Sequence, residues 1–399
     1  MSQIRTFNDF LKRIAIVVGA LVVILAVIFG ILVFTVPQVK AFNNLLLASF
    51  SNPRLMLDFL DRHGVGFNSL LFRVVVFPGF TWAALIAAEV IWFERKFLAK
   101  MQVRVGPLYA GKIAGLLQPI ADVIKLLFKE MISPARSDKL IYYSVPVLLM
   151  AIGSALLAII PVSEAWLIMR SDVSVLAIFA VAGFGPLVVL LAGWASNSKY
   201  PFIGGLRGLH QLVAFEIPML VSVLGIVLAA GTLDMVNVVQ AQSSVWFVVL
   251  MPLGAIAFFC CMLAELERLP FDMPEAESEI VVGYMTEYSS MAFGNLQGLA
   301  AYIRFYAMAG IFTTLFLGGW HGPQILPAGF EIAQQVEWFT IKTLAVMVLV
   351  IILRGVAPRY RMDLLLRMGW ARLLVLAFVN LFLVLLIIQM GWFPIKVGV

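Results

Sequence analysis

Charge is what this chain has least of: 28 Lys+Arg and 22 Asp+Glu make 13% of 399 residues, where an ordinary soluble protein carries about 25%. A water-facing globule of this length needs a far more polar surface, which excludes a soluble enzyme and a soluble DNA-binding domain. Cysteine is nearly absent. Cys260 and Cys261 are adjacent in an apolar run, and helical neighbours point to different faces, so no intrachain disulfide is expected. With three histidines and no CxxC or Cys/His cluster, neither a zinc site nor an iron–sulfur cluster held by this chain is expected. No nucleotide site is expected either, because GxGxxG beside a strand–helix unit, the P-loop and nucleophile motifs are all missing. Disorder is excluded by the opposite excess: 62% of residues are AVILMFWYC, mean hydropathy is +1.02, and soluble chains have roughly 45–50% apolar residues.

What is present is a series of long apolar runs. Nine are long enough to span a bilayer, at about 14–36, 70–93, 141–161, 173–195, 210–230, 244–263, 303–319, 338–355 and 371–392. Each is expected to be helical, since a lipid-facing backbone must satisfy its own polar groups. The first is too long for a signal-peptide core and reads as a retained helix. Alternate connections, at 1–13, 94–140, 196–209, 264–302 and 356–370, hold most of the Lys and Arg. The other side is poorer, with Lys40, Arg54 and Arg62 as its main cluster. The positive-inside rule therefore puts the N-terminus and the first set in the cytoplasm. Within 113–130, Ile113, Leu116, Leu117, Ile120, Ile124, Leu127 and Phe128 recur at helical spacing opposite Asp122, Lys125 and Lys129. That is an amphipathic helix for a membrane surface or a partner. The fold class is an all-α integral membrane protein of about nine transmembrane helices with a cytoplasmic amphipathic helix.

Chemistry concentrates in 264–288, AELERLPFDMPEAESEIVVGYMTEY, which holds Glu265, Glu267, Asp272, Glu275, Glu277, Glu279 and Glu287 against one Arg268. Caps and solvated positions explain single acids there, since a helix N-terminus favours carboxylates and Pro274 can start a helix. Seven acids with one base are harder to explain so. If part of the cluster is buried, repulsion and desolvation raise some pKa values, and carboxylates that share protons can relay them. Glu216 lies inside a span, where a charge costs about 2.5–3.5 kcal/mol and usually faces a bundle interior or a wet cavity. Lys199, Arg207 and His210 form a basic stretch ahead of it, available for an ion pair with the acidic loop. Arg354, Arg359 and Arg361 form a cluster that suits acidic partners or headgroups. Lys342, at the start of a span, is expected at the interface.

ERKFLAKMQVRVGP (94–107), GLLQPIADVIKLLFKE (115–130), SNSKYPFIGGLRG (196–208), AELERLPFDMPEAESEIVVGYMTEYSSM (264–291) and PRYRMD (358–363) resemble, in order, the quinone-site membrane subunit of respiratory complex I. This family comprises the H subunit of the bacterial enzyme and its mitochondrial counterpart, subunit 1. The resemblance implies eight family helices over 70–399, with 1–69 an added N-terminal helix and outer loop. It implies a subunit of a proton-pumping NADH:quinone oxidoreductase, not catalytic alone. Its partners would be the hydrophilic-arm quinone-site and iron–sulfur subunits, the small and antiporter-like membrane subunits and lipid, with no nucleic acid. Quinone, of unassigned type, would be its substrate, in a bacterial cell membrane.

Carried over by position, the proton-transfer residues would be Glu130, Glu216, Glu265, Glu275, Glu277, Glu279 and Glu287. The quinone-chamber residues would be Arg95, Gln102, Arg104, Phe271 and Asp272. The chain departs from the family pattern at Leu108, Phe215, Leu364 and Ala301, the last standing where the family commonly has Glu. Two other functions fit parts of the sequence. Related subunits serve ferredoxin- or F420-linked dehydrogenases and membrane-bound hydrogenases. A stand-alone proton or cation transporter would suit the intramembrane acid but not the docking face at 94–140.

Overall fold

Runs too apolar to face water and too long for a short connection become spanning helices, and the computed structural model is built from them. It describes residues 70–390 except 112–114, 165 and 325–330, with side chains described from residue 73 except at 277 and 278. The described residues from 73 onward form one compact unit. The expected helix over 14–36, and Lys40, Arg54 and Arg62, lie outside the described residues.

The main elements are α1 (Phe80–Met101), α2 (Gln118–Phe128), α3 (Lys139–Ile159), α4 (Ser174–Ala182) and α5 (Gly185–Ala195). They continue with α6 (Lys199–Ala230), α7 (Pro252–Glu265), α8 (Ala300–Phe316), α9 (Glu331–Val356) and α10 (Leu374–Gln389). No strand occurs among the described residues. Seven helical stretches, α4 and α5 counted as one, are long and apolar enough to cross a membrane, and α7 is a shorter apolar helix. Together they account for the eight runs expected beyond residue 70.

The run at 244–263 is not one helix. It breaks at Met251 (φ −131°, ψ 58°) between Phe247–Leu250 and α7. Pro252 lacks an N–H and disfavours helical geometry in the residue before it. Burial orders the bundle: 78% of the apolar window at Ser290–Phe316 is buried, against 22% at Met362–Gln389. α8 is therefore a central element and α10 a peripheral one. The core packs Phe215, Met219, Phe258, Phe305 and Phe316 together. α5 and α6 approach closely because both are glycine there: a Cβ on Gly193 would sit 2.4 Å from the Pro201 carbonyl oxygen and 3.3 Å from the Gly205 Cα.

Contacts sort the connections into two ends, as the alternation of charge led one to expect. At one end Glu94 meets Arg268 and Arg354, Arg359 meets Asp272, and Arg207 meets Glu279. At the other, Arg170 pairs with Asp234, and Gln240 donates to Glu164. Lys342 does not start its helix. α9 begins before it, so it lies within the helix and is buried. Its ammonium donates to the carbonyls of Leu317, Gly319 and His321 at the end of α8 and sits 4.2 Å from the Trp246 ring centroid. A cation there satisfies carbonyls that a helix end leaves open.

The amphipathic helix is shorter than the expected 113–130. Gly115 adopts φ +79°, and α2 starts only at Gln118 with Pro119 in its first turn. Ile120, Ile124, Leu127 and Phe128 are exposed, while Asp122 pairs with Arg95 of α1. Two serines clip its far end to the chain ahead of α8. Ser289 Oγ accepts from Ile132 N–H at 2.9 Å and donates to Ile132 O at 3.0 Å. Ser290 Oγ reaches Lys129 O at 2.6 Å and Leu126 O at 3.0 Å.

Candidate functional site

The acidic segment leaves α7 at Glu265 and returns at Ser290. Pro274 does not start a helix. The chain doubles back so that a Cβ on Gly283 would lie 1.6 Å from the Pro274 carbonyl oxygen, and its only helical turns are the short ones Glu277–Ile280 and Gly283–Met285. Gly283 itself sits at φ +59°, and so do three residues that rarely adopt that region: Glu267 (φ 52°), Val281 (φ 65°) and Ser290 (φ 58°). Strained backbone of this kind persists only where its surroundings impose it, and it gathers at functional sites. Gln211 of α6 pins both ends of the first turn, donating from Nε2 to Ala264 O at 2.8 Å and Phe271 O at 2.6 Å.

The charge imbalance seen in the sequence is largely corrected by arginines from distant segments. Arg359 pairs with Asp272 at 2.8 Å, Arg207 with Glu279, and Arg304 of α8 approaches Glu267 at 3.6 Å. Two of the three cations that suit acidic partners or headgroups, Arg354 and Arg359, turn onto carboxylates of this chain. Arg361 is exposed beside Asp363. The loop's own Arg268 turns away from its acidic neighbours to Glu94 of α1 at 2.7 Å, sandwiched with its guanidinium 4.5 Å from the Tyr302 centroid and 4.3 Å from that of Phe305. Glu94 is 2% exposed and also accepts from Arg354 and from the Tyr302 hydroxyl at 2.8 Å. Truncating one partner of such a buried pair costs about 3–5 kcal/mol, because a desolvated charge is left behind.

Glu265 and Glu275 form no ion pair within 4 Å among the described residues. Burial, then the charges of Glu267 and Asp272, push the half-buried Glu275 carboxyl up to about 8, against the opposing pull of Arg354 and Arg268. Burial also raises Glu267, with Arg304 and the Tyr284 hydrogen bond pulling the other way. Glu216 and Glu265 come together inside the bundle at the break between α4 and α5. A Cβ on Gly183 would sit 2.7 Å from Glu216 Oε1, and one on Gly185 would sit 3.6 Å from Glu265 Oε1 and 3.9 Å from Arg304 Nη1. Two glycines at a helix interruption make the room these carboxylates occupy.

The remaining candidates are dispersed. Glu130 is exposed. Glu287 is half-buried, and its backbone carbonyl accepts from the Tyr142 hydroxyl at 2.6 Å. The side chain of Glu277 lies outside those described. Of the chamber set, Phe271 is buried between Phe215 and Tyr360, with Asp272 beside it. Arg95, Gln102 and Arg104 are exposed at the end of α1 and beyond, Arg104 Nε donating to Gln102 at 2.7 Å. Sequence reasoning missed Glu94, Arg304 and Gln211. Each is a polar group in or beside an apolar run, a signal of the kind that singled out Glu216. Among the described residues no group of three or more His, Cys, Asp or Glu is placed to hold a metal ion.

Comparison with known proteins adds a family. The profile of the NADH dehydrogenase family matches residues 74–385. The H subunit of NADH-quinone oxidoreductase from Dehalococcoides mccartyi is 41% identical over 312 residues, 78% of this chain and 85% of that protein. The protein of the same name from Bacillus thuringiensis is 42% identical over 318 residues, 80% of this chain and 91% of its own length.

Proposed function

The chain belongs to the NADH dehydrogenase family, that of the NADH-quinone oxidoreductase H subunits, and from this membership we propose that its charged end couples quinone reduction to proton movement. As a family member it is a multi-pass membrane subunit of an oxidoreductase complex. Electron transfer is the work of the assembled enzyme, so the chain alone catalyses nothing. Quinone is the substrate of that assembly. It approaches the region of Phe271, Asp272, Arg95, Gln102 and Arg104, where arginines face the developing negative charge of a reduced quinone. The lysine- and arginine-rich end, together with the N-terminus, lies in the cytoplasm of a bacterial cell, by the positive-inside rule.

Proton transfer runs through carboxylates. Glu275, Glu277, Glu279, Glu287 and Glu130 lie on the loop and its border. Glu265 and Glu216 lead from them into the bundle. The observation that carries this reading is the lodging of Glu216 and Glu265 together in the gap made by Gly183 and Gly185. Neighbouring acids in a bilayer protein exchange protons with one another, so a charge change at the loop reaches α6. The test is replacement of Glu216 or Glu279 by Gln in the assembled complex. Proton translocation per quinone reduced should fall in both. Unchanged pumping and quinone turnover in both would end the proposal.

A further inference from the structure

Glu267 stands outside the row of carboxylates just proposed, yet it is the more constrained residue. It is 4% exposed and holds a left-handed backbone, φ 52°, that a side chain of its kind rarely adopts. Its two oxygens differ. Oε2 accepts the Tyr284 hydroxyl at 2.9 Å and faces Arg304 Nη2 at 3.6 Å. Oε1 is buried with no hydrogen-bond partner among the described residues. A buried carboxylate oxygen left so is costly unless it binds a proton or water. Glu267 lines a cavity of about 30 Å³ together with Glu275, Tyr284, Ala301 and Arg304, room for about two waters. Ala301 contributes only a methyl to that wall. The position in α8 where the family resemblance leads one to expect a carboxylate is thus open, and the carboxylate at the same cavity comes from the loop.

We propose that Glu267 is a proton-carrying residue of this chain, exchanging a proton with Glu275 across the water-sized cavity that Ala301 leaves open, with Tyr284 and Arg304 as its positioning residues. The step is a proton transfer alone. The O–H bond on Glu275 breaks, the proton passes through water to Oε1 of Glu267, and a new O–H bond forms there. The summed charge of the two carboxyls stays the same and no electron moves. Oε1 is the receiving atom because Tyr284 and Arg304 already engage Oε2. Arg304 fixes the charge of the pair, so the proton can sit on either side without stranding a lone anion in the bundle.

This inference rests on the coupling role proposed above, and its test separates the two. The assembled complex is reconstituted in vesicles, and quinone reduction and proton translocation are read together. Wild-type complex that reduces quinone without moving protons would sink the coupling role itself. Given pumping by the wild type, Glu267→Gln should lose most of the protons moved per quinone reduced. The double variant Glu267→Gln with Ala301→Glu returns a carboxylate to the same cavity from α8 and should recover pumping. Wild-type pumping by Glu267→Gln overturns the proposal, and so does an assembled double variant that recovers nothing. Because Gln leaves Arg304 without its counter-ion, Glu267→Gln with Arg304→Gln is the control for a purely structural pair. Pumping regained in that neutral pair overturns the proposal, and pumping still lost supports it.

Discussion

At the scale of single residues, the site works by giving similar carboxylates different surroundings. Glu94 has two arginines and a tyrosine. Glu275 has no ion-pair partner within 4 Å among the described residues, and burial with neighbouring acids raises it to about 8. The sign of the consequence follows from linkage. The folded protein keeps a proton on Glu275 that the unfolded chain releases above its ordinary value of 4.5. The contribution to stability is complete below 4.5 and is lost as pH rises towards 8. Wild-type complex should therefore lose thermal stability relative to Glu275→Gln as pH is raised through that window, read as the melting midpoint of the purified complex. A difference that stays constant with pH would refute it. The acids of this loop were legible in the sequence as a run. Their compensation was not, because Arg207, Arg304 and Arg359 reach it from other helices and loops, and one-dimensional spacing says nothing of ion pairs formed across the fold.

At the scale of elements, hydropathy made the eight runs beyond residue 70 readable, since lipid permits few alternatives to helix. Interruptions were harder to see. The break at Met251 is local proline chemistry inside an apolar run, and the break at Gly183 follows no polar signal at all. The second is the more consequential. Gly183 ends α4 where Glu216 of α6 needs space, and a methyl there would meet the carboxylate at 2.7 Å and the Phe179 carbonyl oxygen at 3.3 Å. Gly183→Ala should displace Glu216 and reduce proton translocation as Glu216→Gln does, while the complex still assembles. Pumping at wild-type level in the assembled variant would show that the gap does not set the position of Glu216. α2 illustrates the opposite limit. Its amphipathic spacing was evident, but its start was set by left-handed Gly115, not by the apolar period.

At the scale of the whole molecule, the charged end and the far end are held differently. Lys342 ties the far end of α8 into α9 through three carbonyls. The charged end depends on a strained loop held by ion pairs of mixed exposure. Ser289 and Ser290 join that loop's exit to the backbone of residues 126–132, a stretch that includes the last turn of α2. The surface helix is thus fastened to the mouth of the anionic loop like a latch to its door, and neither swings without the other. Amide exchange should report them as a single opening unit: Ser289→Ala with Ser290→Ala should speed deuterium uptake in residues 118–132 and 280–290 together and leave the Lys342 knot as slow as before.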